Sequence, residues 1–351
     1  YPIYPCQMIR YKWLILSLLL LSQHCAQAQK KSVNDTLDVE NDAFIGDSLF
    51  DYDDLFRDFD AFMDSLLTPR SYSLISLSHS KAYFNYVSKS EVYSVSAVKQ
   101  SVLTPLVGYY HKNGLGITAT GYITNDANRF TLFQGSVSGT YDYLKNRNLA
   151  TGFSFSRFVT KKEVAFYTTP LQNELYTYFT YRKWWLRPTI AASYGWGSRS
   201  AYAEREEIIQ DLRLRRRGFT YINTKETVND FAIISSLRHD FYWLDVWKKK
   251  DYIRFTPQLT FTSGTQKFGF NQSSSTYVTL LRNNSNILYS SENLSLDDNQ
   301  KFQALSLSLF LRGEYALGKC FIQPQLAIDY YFPGSSKKVT TLFSVNAGFI
   351  L

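Results

Sequence analysis

The sequence predicts an all-β protein, a closed antiparallel transmembrane β-barrel of about twelve strands that follows a short N-terminal acidic amphipathic helix. Segments such as IRFTPQLTF, from Ile253 to Phe261, alternate between apolar and polar residues, which gives a strand one apolar face and one polar face. Beyond the amino-terminal region, no stretch approaches the roughly 20 apolar residues of a membrane-spanning helix. Short and long connections alternate between the predicted strands, as they do in membrane barrels.

Residues 1–28 are predicted to comprise a few upstream residues and a secretory signal peptide. From Met8 onward the chain has two basic residues, an apolar run that ends at Leu21, and the motif Ala26-Gln27-Ala28. This order matches a signal peptide with an A-x-A cleavage site, so we expect the mature chain to begin at Gln29. The apolar run is too short to span a membrane comfortably as a helix.

Residues 29–70 are predicted to form an acidic periplasmic segment. Between Gln29 and Leu67 the chain has eleven acidic and three basic residues, a net charge of −8. An amphipathic helix is expected over residues 47–67, because apolar residues recur there at spacings of three and four. The apolar face includes Leu55, Phe56, Phe59, Phe62 and Met63.

Residues 71–351 are predicted to form the barrel, because the apolar period changes from 3.6 to 2 at Ser71. Most of the predicted strands are about ten residues long or more, the length of a tilted membrane strand. They are expected near residues 71–80, 101–111, 115–124, 130–143, 149–158, 172–182, 186–197, 229–243, 252–262, 302–315, 320–332 and 339–350.

Connection lengths indicate which ends of the strands meet. Connections after the even-numbered strands are short, whereas those after the odd-numbered strands are generally longer, as in barrels with periplasmic turns and outer loops. Three prolines, Pro188, Pro257 and Pro324, lie on the apolar parity, where each removes a hydrogen bond from the strand ladder. We expect these prolines to mark bulges or the ends of strand pairing.

Aromatic residues collect near the predicted periplasmic ends of the strands. Amphipathic rings settle at the interface between membrane and water, so these residues are predicted to form a periplasmic belt. The predicted belt consists of Tyr109, Trp184, Trp185, Tyr242, Trp243, Trp247, Tyr252 and Tyr315.

The last predicted strand ends in VNAGFIL and is amphipathic and rich in aromatic residues. In this respect it resembles the closing strand of bacterial outer-membrane β-barrel proteins, although Ile350 and Leu351 follow Phe349. The resemblance covers residues 71–351 and rests on pattern alone. It implies the outer membrane of a Gram-negative bacterium, with outer-membrane lipid and lipopolysaccharide as surroundings.

Charged residues on the polar parity point to the functional interior. Arg187, Arg238, Arg254 and Arg312 fall on this parity toward the periplasmic ends of neighbouring strands. The predicted acidic partners are Glu174, Asp240, Glu314 and Asp329. Two interpretations remain open: a lumen packed with mutually satisfied ion pairs, or an electropositive constriction that selects anions.

The charge of the barrel region is about +14, opposite to that of the acidic segment. The helix predicted over residues 47–67 is therefore a candidate plug or tether at the mouth beside the arginines. The alternative is a detached periplasmic helix that binds another envelope protein. The long loop 198–228 carries a cluster of arginines that could bridge lipopolysaccharide phosphates, or it is a solvated surface helix.

Evidence for catalysis is slight. The outer-membrane phospholipases are also twelve-stranded barrels and use a His and a Ser two residues apart, but His79 is flanked directly by Ser78 and Ser80. His111 and His239 lie near turns. No spacing indicates a metal site or a cofactor, and a secreted barrel is not expected to meet nucleic acid despite a sequence pI near 9.1.

The leading hypothesis is therefore an outer-membrane barrel that is not an enzyme and forms a narrow channel for small solutes, with anions as the candidate class. A second hypothesis is a non-conducting structural or accessory subunit of a larger envelope complex, which would contact its partner through residues 29–67 or the long loops. A third is an outer-membrane lipid hydrolase.

Overall fold

The computed structural model describes residues 70–87, 95–126, 129–146, 148–162, 164–206, 209–210, 227–265, 267–268, 301–333 and 339–351. The predicted signal peptide and the predicted acidic helix, with Leu55, Phe56, Phe59, Phe62 and Met63, lie outside this part of the chain. Within it, no helix is both long enough and apolar enough to cross a membrane, a finding that says nothing of a β-barrel.

The described chain consists mostly of strands, with a short helix and the further helical residues 206 and 209–210 in the long connection after the seventh strand. The order is β1 (Tyr72–Val87), β2 (Val95–Tyr110), β3 (Leu115–Asp126), β4 (Arg129–Tyr143), β5 (Leu149–Thr160), β6 (Asn173–Tyr181), β7 (Arg187–Trp196), α1 (Arg199–Ala203), β8 (Asn229–Arg238), β9 (Phe241–Leu244), β10 (Asp251–Gly264), β11 (Gln303–Leu317), β12 (Cys320–Tyr331) and β13 (Val339–Ile350).

These strands form one antiparallel sheet that closes on itself. Each strand from β1 to β8 pairs with the next, β10 to β13 do likewise, and both β8 and β9 pair with β10. The ring closes where β1 pairs with β13, from Leu74 opposite Ile350 to Ser80 opposite Ser344. Since β8 and β9 occupy one position in the ring, the barrel has twelve members, and the predicted fold class is confirmed.

The eighth predicted strand, 229–243, is divided in the structure because Pro257 lies opposite its middle. Both parts keep one register on β10, with Arg238 opposite Gln258 and Phe241 opposite Phe255. Between them, the backbone N–H of His239 donates to the Pro257 carbonyl at 3.3 Å. Pro257 has no N–H to return the bond, so the ladder is interrupted at this point.

The other two prolines have similar effects. The pairing between β11 and β12 runs through Arg312 opposite Gln325 and resumes at Tyr315 opposite Ile322, so it is interrupted opposite Pro324. Pairing between β6 and β7 ends at Thr189, immediately after Pro188. As expected from the sequence, each proline interrupts or ends a ladder.

The apolar faces of the strands point outward. In β10, Phe255, Leu259 and Phe261 are exposed, whereas Thr256 and Thr260 on the opposite face are buried inside the ring. A soluble barrel would bury the apolar face and expose the polar one, so the outer surface is suited to hydrocarbon. The structure therefore agrees with the membrane orientation that the alternation predicts.

The two ends of the barrel differ, and we call them the turn end and the loop end. At the turn end, short connections join β2 to β3, β4 to β5, β6 to β7, β9 to β10 and β11 to β12. The first of these turns needs Gly114, whose φ is +93°, because a Cβ there would collide with the Asp142 carbonyl. The loop end carries the longer connections except between β3 and β4, which are joined by two residues only.

One long connection folds inward at the loop end. Phe166, in the segment between β5 and β6, is only 2% exposed and forms an isolated bridge with Tyr86. Its ring lies 4.4 Å from that of Phe84 and 5.3 Å from that of Phe133, measured between centroids. This aromatic cluster covers part of the interior on the side of β1 and β4.

Candidate functional site: an arginine cluster inside the barrel

Four arginines lie on the inward face of four neighbouring strands, in the half of the barrel nearer the turn end. Arg187 begins β7, Arg238 ends β8, Arg254 lies near the start of β10, and Arg312 lies on β11 opposite Thr256. Arg187 and Arg238 are direct cross-strand partners. We call these four residues the arginine cluster.

Arg254 forms a fully buried ion pair. Its guanidinium Nη2 lies 2.5 Å from Oε2 of Glu314, and the two side chains are 1% and 0% exposed. The Tyr252 hydroxyl donates to the other oxygen of Glu314 at 2.7 Å, and Gln323 Nε2 donates to Oε2 at 2.9 Å. Three donors on one carboxylate hold this pair rigidly on the barrel wall.

Asp240 forms the second ion pair of the cluster. Its Oδ2 accepts from Arg187 Nη1 at 2.5 Å, and its Oδ1 accepts from the Thr256 hydroxyl at 2.7 Å. The Asp240 side chain is almost fully buried, while that of Arg187 is 25% exposed. Asp240 lies in the interruption between β8 and β9 and keeps the inward parity of Arg238.

The remaining two arginines differ in their contacts. Arg312 donates from Nε to Oε1 of Gln325 at 3.1 Å. Arg238 is 7% exposed and has no hydrogen-bond or ion-pair partner in the part of the chain that the structure describes; its Nε is buried and unsatisfied there. The cluster of four arginines therefore contains two carboxylates, Asp240 and Glu314.

The other two predicted acidic partners lie away from the cluster. Glu174, near the loop end of β6, accepts from the Ser193 hydroxyl at 2.9 Å. Asp329, near the loop end of β12, accepts from the Ser308 hydroxyl at 2.5 Å. Both face inward and are buried, so the structure brings Asp240 and Glu314 to the arginine cluster and leaves Glu174 and Asp329 nearer the opposite end.

Small hydroxyl residues dominate the wall on the other side of the ring, a feature that sequence reasoning missed. The alternation of apolar and polar residues could have predicted this wall, because these Ser and Thr residues all lie at the inward-facing positions of their strands. The hydroxyl wall consists of Ser76, Ser78 and Ser80 in β1, Thr104 in β2, Thr118, Thr120 and Thr124 in β3, Ser136, Ser138 and Thr140 in β4, and Ser154 and Ser156 in β5.

Most of the predicted aromatic belt lies on the outer surface at the turn end. Tyr315 is half-buried, with its ring centroid 4.9 Å from that of Trp247. The exposed members are Tyr109, Trp184, Trp185, Trp243 and Trp247.

Tyr242 and Tyr252 require a correction, because they face the interior. Tyr252 is 6% exposed and donates to Glu314, and Tyr242 lies opposite Arg254 on the inward face. Both share the parity of Arg254, so the alternation placed them inside although their residue type suggested the interface. They belong to the surroundings of the arginine cluster.

The histidines are separated from one another. His79 points outward, whereas Ser78 and Ser80 point inward, and the Ser78 hydroxyl donates to Asn346 at 2.9 Å. His111 accepts from the Asn113 backbone in a turn, and His239 lies on the outer surface beside the Trp185 ring. Across the described ranges, no group of three or more His, Cys, Asp or Glu residues could hold a metal.

The long connection after β7 is described only at its two ends. Arg205 there is buried and donates to the Thr168 hydroxyl at 2.8 Å, which ties this connection to the one between β5 and β6. Burial lowers the pKa of Arg205 from its usual value, although Glu204 nearby opposes the shift. The arginines that suggested contact with lipopolysaccharide, at 213 and 215–217, lie outside the described residues.

No family model and no curated protein matches the sequence. Among solved structures, the NanC porin is similar at 10% identity over 78% of this chain and 98% of that chain, with a TM-score of 0.39. The COG4313 outer membrane channel from Pseudomonas putida F1 is similar at 9% identity over 81% and 96%, with a TM-score of 0.38. The translocator domain of the autotransporter NalP from Neisseria meningitidis is similar at 12% identity over 85% and 95%, with a TM-score of 0.38.

The assignment of the fold rests on the strand pairing and the outward apolar face rather than on these likenesses. Ring closure between β1 and β13, short turns at one end and a polar interior occur together in this chain. They are the architecture of a bacterial outer-membrane β-barrel.

Proposed function

We propose that this protein provides a narrow, anion-selective passage across the outer membrane. The observation that carries the proposal is the charge imbalance of the arginine cluster, in which Arg187, Arg238, Arg254 and Arg312 share Asp240 and Glu314. These four arginines and two carboxylates together have a formal net charge of +2 on the inner wall. Rings of arginine or lysine in a pore favour anions and repel cations.

The rest of the interior suits a small hydrated solute. Twelve strands enclose a space between that of a filled eight-stranded barrel and that of a wide porin, so the passage is narrow. The hydroxyl wall faces this space from β1 to β5 and offers hydrogen-bond donors and acceptors without charge. An anion would therefore meet cationic groups on one side and neutral polar groups on the other.

A second function, a non-conducting accessory subunit of an envelope complex, is favoured by a different observation. Interior side chains on both walls are nearly inaccessible, including Thr118 at 2%, Asn346 at 2% and Arg254 at 1%. A wide, water-filled pore would leave such small polar groups exposed to solvent. These interior side chains are covered, as expected of a barrel that binds another protein rather than transporting a solute.

Electrical recording of the full chain separates the two functions. The purified barrel is inserted into planar bilayers under a potassium chloride gradient, and conductance and reversal potential are measured. A channel of the proposed kind conducts with a reversal potential that shows chloride preference, and Arg312→Gln reduces that preference. Arg157→Gln removes the same charge from the outer face of β5 and should leave it unchanged.

Two results would contradict the proposed passage. A channel that prefers potassium, or whose preference is the same in the Arg312→Gln variant, would show that the arginine cluster does not set selectivity. Absence of conductance together with co-purification of a second envelope protein would support the accessory role instead.

A further inference from the structure

We propose that Arg238 is a binding residue for a carboxylate group inside the barrel. The inference rests on the proposed function in one respect, since it places an anion in the same interior, but it concerns binding rather than conduction. Arg238 is more than nine-tenths buried, and its Nε has no partner among the described residues. The residues around Arg238 indicate which chemical group could accept hydrogen bonds from its guanidinium.

Two positive charges, those of Arg187 and Arg254, act on Arg238 together with the carboxylate of Asp240. Arg187 lies directly opposite it on β7, and Gln258 lies directly opposite it on β10. Like charges in directly opposed positions of a sheet destabilise the pairing. Asp240, two positions beyond the end of β8, is already held by Arg187 and Thr256.

A buried guanidinium that makes no hydrogen bonds and has no carboxylate of its own is costly, because its lost hydration is only partly compensated. A planar guanidinium and a carboxylate match each other in shape and can share two parallel hydrogen bonds. The same wall shows this preference twice, since Arg187 and Arg254 each hold a carboxylate at 2.5 Å. A third carboxylate at Arg238 would complete the set and relieve the repulsion from Arg187.

Two sources could supply the carboxylate. One is a solute in the lumen, and the other is the acidic part of this chain between residues 47 and 67, which the sequence predicts as a plug. Both present the same chemical group. The experiment must therefore detect the site and identify which source fills it.

The test measures thermal unfolding of the full chain in detergent while acetate replaces chloride at constant ionic strength. Arg238→Gln removes the charge at similar length, and Arg238→Lys keeps the charge but loses the planar fork. Arg157→Gln is the matched control on the outer face. A fourth variant replaces the seven acidic residues between 47 and 67 by Asn, so that the full chain keeps its length without those carboxylates; they are Asp47, Asp51, Asp53, Asp54, Asp58, Asp60 and Asp64.

If a solute fills the site, acetate raises the unfolding temperature of the wild type in a saturable manner. Arg238→Gln weakens the apparent acetate affinity by about tenfold or more, because hydrogen bonds to charged groups are lost. Arg238→Lys weakens it less, and Arg157→Gln leaves it unchanged. This result supports the proposal with an external carboxylate.

If the chain fills its own site, the wild type does not respond to acetate, but the variant with seven Asp→Asn substitutions does. Adding Arg238→Gln to that variant then removes the response, which supports the proposal with an internal carboxylate. Absence of any dependence on Arg238 in both backgrounds overturns it. Anion preference in planar bilayers is a separate measurement, so failure of the binding site and failure of the proposed passage can be told apart.

Discussion

The buried ion pair between Arg254 and Glu314 provides the sharpest test of how the barrel wall is stabilised. Replacing Glu314 by Gln keeps the size of the side chain and removes its charge. The carboxylate accepts from Arg254, Tyr252 and Gln323, at 2.5, 2.7 and 2.9 Å. An amide oxygen can still accept from Arg254 and Gln323, and the NH₂ group can donate to the Tyr252 hydroxyl, so the substitution chiefly removes the negative charge opposite Arg254.

The expected loss in the free energy of unfolding is about 3–5 kcal/mol, the cost of removing one partner of a buried ion pair. Replacing both residues, as in Arg254→Met with Glu314→Leu, leaves no buried charge behind. We expect this double variant to recover most of the loss.

The assay is urea unfolding of the barrel in lipid vesicles, followed by tryptophan fluorescence. Lys162→Gln provides the comparison, because Lys162 pairs with Glu204 at 3.5 Å on the surface, where the two side chains are 82% and 38% exposed. An exposed pair of this kind contributes about 0–1 kcal/mol. If Glu314→Gln costs no more than Lys162→Gln, the view of Glu314 as a buried counterion is refuted.

Three further predictions concern the loop end, the strand ladder and the outer surface. Phe166→Ala removes the ring at the centre of the aromatic cluster, so trypsin should cleave after the exposed lysines at 161–162 faster than in the wild type; equal rates would contradict this role. Pro257→Val restores a backbone N–H at position 257, opposite His239. This new amide should be protected from hydrogen exchange, and its hydrogen bond should add about 0.5–1.5 kcal/mol to the free energy of unfolding. An unprotected amide at that position would show that the ladder breaks for another reason. Trp247→Ala should reduce the quenching of tryptophan fluorescence by brominated lipid, whereas unchanged quenching would place that ring in water.

The alternation of apolar and polar side chains was enough to predict most of the fold. It placed Phe255 outside and Arg254 inside, and the same rule applied along twelve strands, because lipid surrounds the ring and polar groups fill it. Where residue type was preferred to parity, as for Tyr242 and Tyr252, the prediction was wrong.

Partner choice inside the cluster could not be predicted from local sequence. Glu314 pairs with Arg254 because the register of β10 on β11 sets them opposite each other, sixty positions apart in the chain. Arg238 instead lies opposite Arg187, and nothing near either residue in the sequence indicates this. The inward position of Phe166 is also a property of the folded loop, since one aromatic residue between strands carries no periodic signal.

Closure of the ring between β1 and β13 has a consequence for biogenesis. The hydroxyl of Ser78 bonds to Asn346, a residue 268 positions later, so the seam forms only after the last strand has been synthesised. Until then both terminal strands present open edges, which invite pairing with other chains. A chain whose seam has not closed should therefore aggregate through these edges rather than persist as a partly built pore.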